Sequence, residues 1–195
     1  MISSKNHLHA MGNEYAHFRR EFSVDDVMNS TMVADPIRLL HCSPISDGAS
    51  ALIVTSPETA KKLTDTPVYV VASQQASDDV SLYTRESLTS IKTMKLTLTA
   101  ALAQASLGIG DIPLAEVHDC FTIEEAIFLE DAGFYEKGQA WKGIHESYES
   151  FEGSKHIPYV NGGGELIVNP GGGLKADGHP VGATGVRQAY ECFKQ

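Results

Sequence analysis

From residue 67 onward the chain alternates two hydrophobic periods, and that alternation restricts it to few architectures. The stretch PVYVVASQQ holds an unbroken apolar run, Val68 to Ala72, as expected of a strand covered on both faces. Apolar residues then recur at Leu88, Ile91, Met94, Leu98, Leu102 and Ala105, at helical spacing, with Gly108 as a stop. PLAEVHDCF reads as a short strand. TIEEAIFLEDAG reads as a helix, with Thr122 and Glu125 as a capping box and Gly133 just past its end. Strand, helix, strand, helix in succession predicts an α/β layered fold in which helices cover a sheet.

The flanks extend the pattern. SDGASALIVTS reads as a turn feeding a strand, and ELIVNPGGG as a strand running into a glycine cluster. LKADGHPVGATG then leads into a last helix, VRQAYECFKQ. Residues 134 to about 164 show no clear period, so a long functional or mobile loop is expected there. Residues 1 to 45 are polar and irregular, with a short helix at SVDDVMNS where Ser23 caps and Asp26 sits three positions on. The expected division is a loop or cap segment over 1–45 and a layered unit over 46–195.

Composition excludes several classes. With 42% hydrophobic and 21% charged residues among 195, the chain can bury one substantial core and is neither disordered nor a coiled coil. Its net charge of -10 argues against a nucleic-acid partner, although a few lysines and backbone N–H groups suffice for a small phosphate-bearing ligand. The N-terminus lacks the apolar core of a signal peptide and no run approaches a membrane span, so the expectation is a cytoplasmic protein without membrane insertion. His7 and His9 form an HxH pair without a third nearby ligand, which reads as a solvated loop; no metal is expected. GGGLKADG lacks the GK[ST] ending of a phosphate loop and does not satisfy GxGxxG.

Three residues could carry chemistry. Cys120 lies at the carboxyl end of a predicted strand and before a helix N-terminus, where open α/β sheets bind ligands and where the helix dipole lowers a thiol pKa from about 8.5. Burial as a small core hydrophobe is the competing reading, of about equal weight. His118, two residues earlier, shares a face with Cys120 if the strand continues through both. His179 is held extended by Pro180, and Gly178 leaves room for close backbone approach. Of the other cysteines, Cys192 falls in register with Gly185 and Ala189 on a packing face and reads as structural, while Cys42 has no assignment.

The motifs VHDCF and NPGGGLKADGHPVGATG, about fifty residues apart, resemble the C-terminal half of a thiolase of the sterol-carrier-protein-type and archaeal acetyl-CoA acetyltransferase branch. The opening KNH and the SDGASA turn resemble the middle region of the same family, so the resemblance spans the whole chain. It implies a thiolase-like α/β/α fold, incomplete here, in which 1–45 is a cap segment and 46–195 a strand of the N-terminal half plus most of the C-terminal half-domain, and it implies Claisen condensation of acyl-CoA thioesters or thiolysis of 3-ketoacyl-CoA. Under the resemblance His179 activates a nucleophilic cysteine and stabilises the thioester oxyanion. Cys120 exchanges the α-proton, and His118 positions a water or the enolate oxygen. Coenzyme A enters as a thioester substrate, with no covalently bound cofactor and no CoA-binding residue assigned.

Neither Cys42 nor Cys192 matches the family's acyl-accepting cysteine, which belongs to an N-terminal half, and the strand pair that follows the last helix in most thiolases is also unmatched. The expectation is a fragment, inactive alone, of a homo-oligomeric enzyme that is cytoplasmic, or peroxisomal in a eukaryote. The alternative is a non-catalytic acyl-CoA-binding or protein-interaction module derived from a thiolase half. A ketoacyl-synthase relative is a weaker third reading, because HDCF is not typical there.

Overall fold

The computed structural model describes residues 1–153, 155–161 and 164–195. A three-stranded sheet lies at the centre, ordered β3 (Leu114–Ala115), β5 (Gly164–Val168), β4 (Tyr159–Asn161). β3 pairs parallel with β5, Leu114 opposite Ile167, and β4 pairs antiparallel with it, Tyr159 opposite Leu166. Helices are α1 (Ile2–Ala10), α2 (Val24–Asn29), α3 (Pro57–Leu63), α4 (Lys92–Ala105), α5 (Thr122–Asp131), α6 (Ala140–Glu149), α7 (Gly173–Asp177) and α8 (Thr184–Lys194). A small hairpin, β1 (Met32–Ala34) and β2 (Ile37–Arg38), follows α2. The core gathers Val117, Phe128, Leu129, Phe134, Ile144, Tyr159, Leu166 and Val168, with Met94 and Leu98 of α4 against it. The fold is the α/β one that the alternation predicts, and β5, the Ser23–Asp26 cap of α2 and the Gly133 stop after α5 all form as expected.

Helix α1 departs furthest from expectation. Its sequence, ISSKNHLHA, is polar, yet His7 and His9 are each only 1% exposed, so the solvated-loop reading of the HxH pair is wrong. The helix is buried because partners meet its polar groups. Lys5 Nζ reaches Glu125 Oε1 and the Val168 carbonyl, both at 2.8 Å. Asn6 Nδ2 donates to Asp119 and Glu125, and His9 Nδ1 donates to the Asn169 carbonyl at 3.0 Å. Buried polar groups of this kind are stable only when paired, and sequence polarity alone does not reveal the pairing.

Four other expectations are corrected. Residues 51–54 and 68–72 form no strand, and their side chains face solvent: Ile53 is 92% exposed and Val70 74%. A strand exists only through a neighbour to pair with, and no described residue lies beside either run as one. The helix expected from residue 88 starts at Lys92, because Asp131 takes the Ile91 N–H at 2.6 Å and the Ser90 hydroxyl at 2.8 Å and fixes the turn before it. Thr122 caps nothing; Phe121 is the N-cap of α5, and the Glu125 side chain turns inward to Lys5. The supposed loop 134–164 contains α6 and β4. The buried stripe of α6 is Ala140, Gly143, Ile144 and Ser147, so the segment does carry a helical period, one that the sequence reading missed.

Candidate active site

The site is assembled where the segment after β3 meets the glycine-rich loop after β5. Asn169, at the end of β5, has φ +54 and extends the sheet with its own side chain. Its backbone N–H donates to the Ala115 carbonyl at 2.8 Å, and its side-chain Oδ1 accepts the Val117 N–H at 2.8 Å. Residues 117–120 therefore keep the in-and-out alternation of a strand after the strand proper has ended: Val117 and Asp119 are buried, while His118 is exposed and Cys120 half-buried. One ligand-capable atom each from His118, Cys120 and Glu124 fall within 4.8 Å of one another. The expected common face of His118 and Cys120 is thus present.

Asp119, wholly buried, anchors this segment. Its carboxylate accepts the Leu174 N–H at 2.6 Å and the Asn6 amide at 2.8 Å. A Cβ on Gly173, whose φ is +61, would lie 2.4 Å from Asp119 Oδ2, so only glycine lets the first turn of α7 close on this carboxylate. Burial, with the charge of Glu125 behind it, raises the Asp119 carboxyl to about 7.

His179 arrives from the other side. Its backbone N–H donates to Ser46 Oγ at 2.7 Å, and Nδ1 lies 2.8 Å from Thr184 Oγ1. Gly178, at φ +114, would place a Cβ 2.9 Å from Ser46 Oγ, which bears out the close approach expected of it. The His179 ring meets His118 edge to face, centroids 5.0 Å apart and planes at 90°. Desolvation, then the nearby His118 and Arg187, lower the His179 pKa, which favours the neutral ring at pH 7.

The thiol of Cys120 behaves opposite to expectation. Its Sγ donates to Glu124 Oε2 at 3.2 Å. Burial, that hydrogen bond and the Glu124 charge push its pKa up to about 12, and they outweigh the α5 N-terminus. A cation could be held by His118, Cys120 and Glu124 only by displacing this shared proton. Cys42 lies beside Cys120 in the chain's packing, since Cys42 bridges to Phe121 and the Ser43 N–H donates to the Cys120 carbonyl at 2.8 Å. Cys192, with Gly185 and Ala189, is exposed on α8, so the packing face expected there is not formed. A cavity of about 520 Å³ opens against His118 and Glu124, walled by Ile91, Met94, Phe128 and Gln188.

Sequence reasoning missed Ser46, Asp119, Glu124, Asn169 and Thr184. Asp119 and Thr184 stand inside the quoted motifs HDCF and GHPVGATG, so the signal lay one and five residues from the histidines.

His118 and Cys120 beyond β3 meet His179, which stands between α7 and α8, in a layered α/β fold. A family model described as "Thiolase C-terminal domain-like" matches residues 74–195 and gives the class. The chain belongs to the thiolase family. It is 47% identical over 195 residues to the acetyl-CoA acetyltransferase of Methanothermobacter thermautotrophicus, covering all of this chain and 48% of that protein. Sterol carrier protein 2 of Rattus norvegicus is 34% identical over 199 residues, covering all of this chain and 34% of that protein. Among solved structures, an Ltp2-ChsH2(DUF35) aldolase superposes with a TM-score of 0.75 at 26% identity, covering 97% of this chain and 48% of that one. The chain spans about half the length of the archaeal relative. No helix of the described residues is long and apolar enough to cross a membrane.

Proposed function

We propose that this chain supplies the acid–base half of a thiolase-type acyltransferase, which condenses acyl-CoA thioesters or cleaves a 3-ketoacyl-CoA by thiolysis. The observation that carries the reading is that His118, which lines the cavity with Glu124, meets the His179 ring edge to face and lies with Glu124 within 4.8 Å of the Cys120 thiol. His179 takes the proton of an acyl-accepting thiol and then holds the thioester oxyanion, a donor contribution of about 3 kcal/mol to the barrier. Cys120 works on the neighbouring carbon. In thiolysis its thiol gives a proton to the α-carbon as the carbon–carbon bond breaks; in condensation Sγ takes a proton from the substrate methyl group as its own passes along the hydrogen bond to Glu124, so that no free thiolate forms. His118 donates to the enolate oxygen.

The acyl-accepting thiol in this reading lies outside these 195 residues. Cys42 Sγ donates to the Arg38 carbonyl at 3.5 Å, and Cys192 sits on the exposed side of α8. The 195-residue chain alone is accordingly inactive, and residues 1–45 and 46–195 are a cap segment and a half-domain of one enzyme. The exposed apolar runs at 52–54 and 68–71 support burial of these segments in the gene-encoded protein, which we take to be a homo-oligomer.

The test is carried out on the gene-encoded protein. His179→Ala is expected to suppress both trapping of radiolabelled acetyl-enzyme and turnover of acetoacetyl-CoA. Cys120→Ala is expected to keep acetyl-enzyme formation while abolishing exchange of the acetyl-CoA methyl protons with deuterated water. Unchanged exchange in Cys120→Ala overturns the assignment. Coenzyme A binding without any turnover favours the non-catalytic module instead.

A further inference from the structure

Thr184 carries a single hydroxyl proton, and two acceptors compete for it. Its Oγ1 lies 3.0 Å from the Pro180 carbonyl oxygen and 2.8 Å from His179 Nδ1. Two oxygens at 3.0 Å repel unless a hydrogen lies between them, and a carbonyl brings none. The carbonyl is also fixed in place, holding the Ala183 N–H at 2.8 Å and the Thr184 N–H at 3.0 Å as the first turn of α8 forms. The hydroxyl proton therefore points at Pro180. Toward His179, Thr184 presents lone pairs, and the ring nitrogen opposite them must carry the proton.

We propose that Thr184 is a positioning residue that locks His179 in the Nδ1–H tautomer, so that Nε2 is the unprotonated nitrogen available to the reacting thiol. The role rests on the function proposed above, because an Nε2–H ring could hold an oxyanion but could not first accept the thiol proton. The geometry itself does not depend on that function. Thr184 is 3% exposed, so water does not compete for the contact, and the Ser46 hydroxyl bonded to the His179 backbone N–H holds the ring's attachment point from the opposite side. Three consecutive constraints, at the backbone, at Nδ1 and at the ring edge facing His118, leave Nε2 as the ring nitrogen with no assigned partner among the described residues. The spacing in GHPVGATG agrees with this: the residue five positions after the histidine, the first of α8, sets its hydroxyl against both Nδ1 and the carbonyl of the proline.

The test reads the tautomer directly. Two-bond imidazole 15N–1H correlation spectra of the 195-residue chain at mildly alkaline pH, with His179 assigned by loss of its signals in His179→Gln, are expected to show Nδ1 protonated and Nε2 bare. Thr184→Ser should keep that pattern, and Thr184→Val should convert it to a mixture or to the Nε2–H form. In the gene-encoded protein, kcat/KM for acetoacetyl-CoA should fall about ten- to a hundredfold in Thr184→Val and stay within about threefold in Thr184→Ser. A wild-type ring protonated at Nε2, or a Thr184→Val ring unchanged from wild type, overturns the proposal. If the tautomer behaves as stated while wild-type protein shows no thiolase turnover, the positioning role stands and the proposed reaction falls.

Discussion

The Asp119 carboxylate receives the Leu174 N–H at 2.6 Å and so joins the residue between His118 and Cys120 to the glycine-rich loop that leads to His179. Two halves of the site, 55 residues apart in sequence, hang on one buried acid. Replacing it by alanine leaves a helix-start amide unpaired in the interior. We expect Asp119→Ala to destabilise the protein by about 2 to 4 kcal/mol in urea unfolding, with Asp119→Asn losing less than half as much because its amide oxygen still accepts. Equal losses would show that the hydrogen bond is not what the site depends on.

Lys5 and Glu125 form a second tie, fully buried, which Tyr159 completes by donating to Glu125 at 2.5 Å. Removal of one partner strands a charge. Lys5→Met is expected to lower stability by about 3 to 5 kcal/mol, and the double variant Lys5→Met, Glu125→Leu to recover part of that loss. A double variant no more stable than the single one would argue that the pair is held for packing rather than for charge.

Cys120 should alkylate slowly. Its thiol is raised to about 12 by burial and by Glu124, so at neutral pH very little of it is thiolate. Glu124→Gln removes the nearby negative charge and lowers that pKa, and iodoacetamide labelling of Cys120, followed by mass spectrometry, should accelerate several-fold while Cys42 labels at an unchanged rate. Fast labelling of wild-type Cys120 would mean that the α5 N-terminus outweighs the carboxylate after all.

Stability should fall as pH rises from about 6.5 to 8. Burial raises Glu116 to about 8 and Asp119 to about 7, so across this window the folded state holds protons that the unfolded state has already released. The histidines work in the opposite direction, but only at lower pH: His7, lowered to about 4 by burial, loses its contribution as pH falls below 6.5. Glu116 Oε2 has no hydrogen-bond partner among the described residues, consistent with a protonated carboxyl. Glu116→Gln should flatten the upper window, removing a slope on the order of 1 kcal/mol per pH unit in urea melts at pH 6.5, 7.25 and 8. A slope that persists unchanged in this variant would place the titration elsewhere.

The elements legible in sequence were those with a strong local cause. The apolar spacing of α4, the apolar run of β5, the glycine after α5 and the Ser23 cap of α2 are written in neighbouring residues, although β5 still needs β3 and β4 to pair with and Asp131 sets where α4 begins. The histidines and cysteine of HDCF and GHP were legible for another reason: two short motifs in order resemble a family, and the comparisons show that family. Thr184 and Asp119 stood in those same motifs but carried no local signature of what they bond.

What tertiary structure alone decided is where polar groups find partners and where apolar ones do not. The α1 sequence reads as solvent-facing, and it is buried because Glu125, Asp119, Asn169 and Val168, all more than a hundred residues away, present matching atoms. The run Val68–Ala72 reads as the most buried strand, and it is exposed because no described strand lies beside it. The same rule sets the Cys120 thiol: a helix start favours its anion, but a carboxylate one turn along α5, brought to 3.2 Å, reverses the sign. Sequence records which groups can pair, and pairing energies depend on distance and burial, which exist only once the chain has folded.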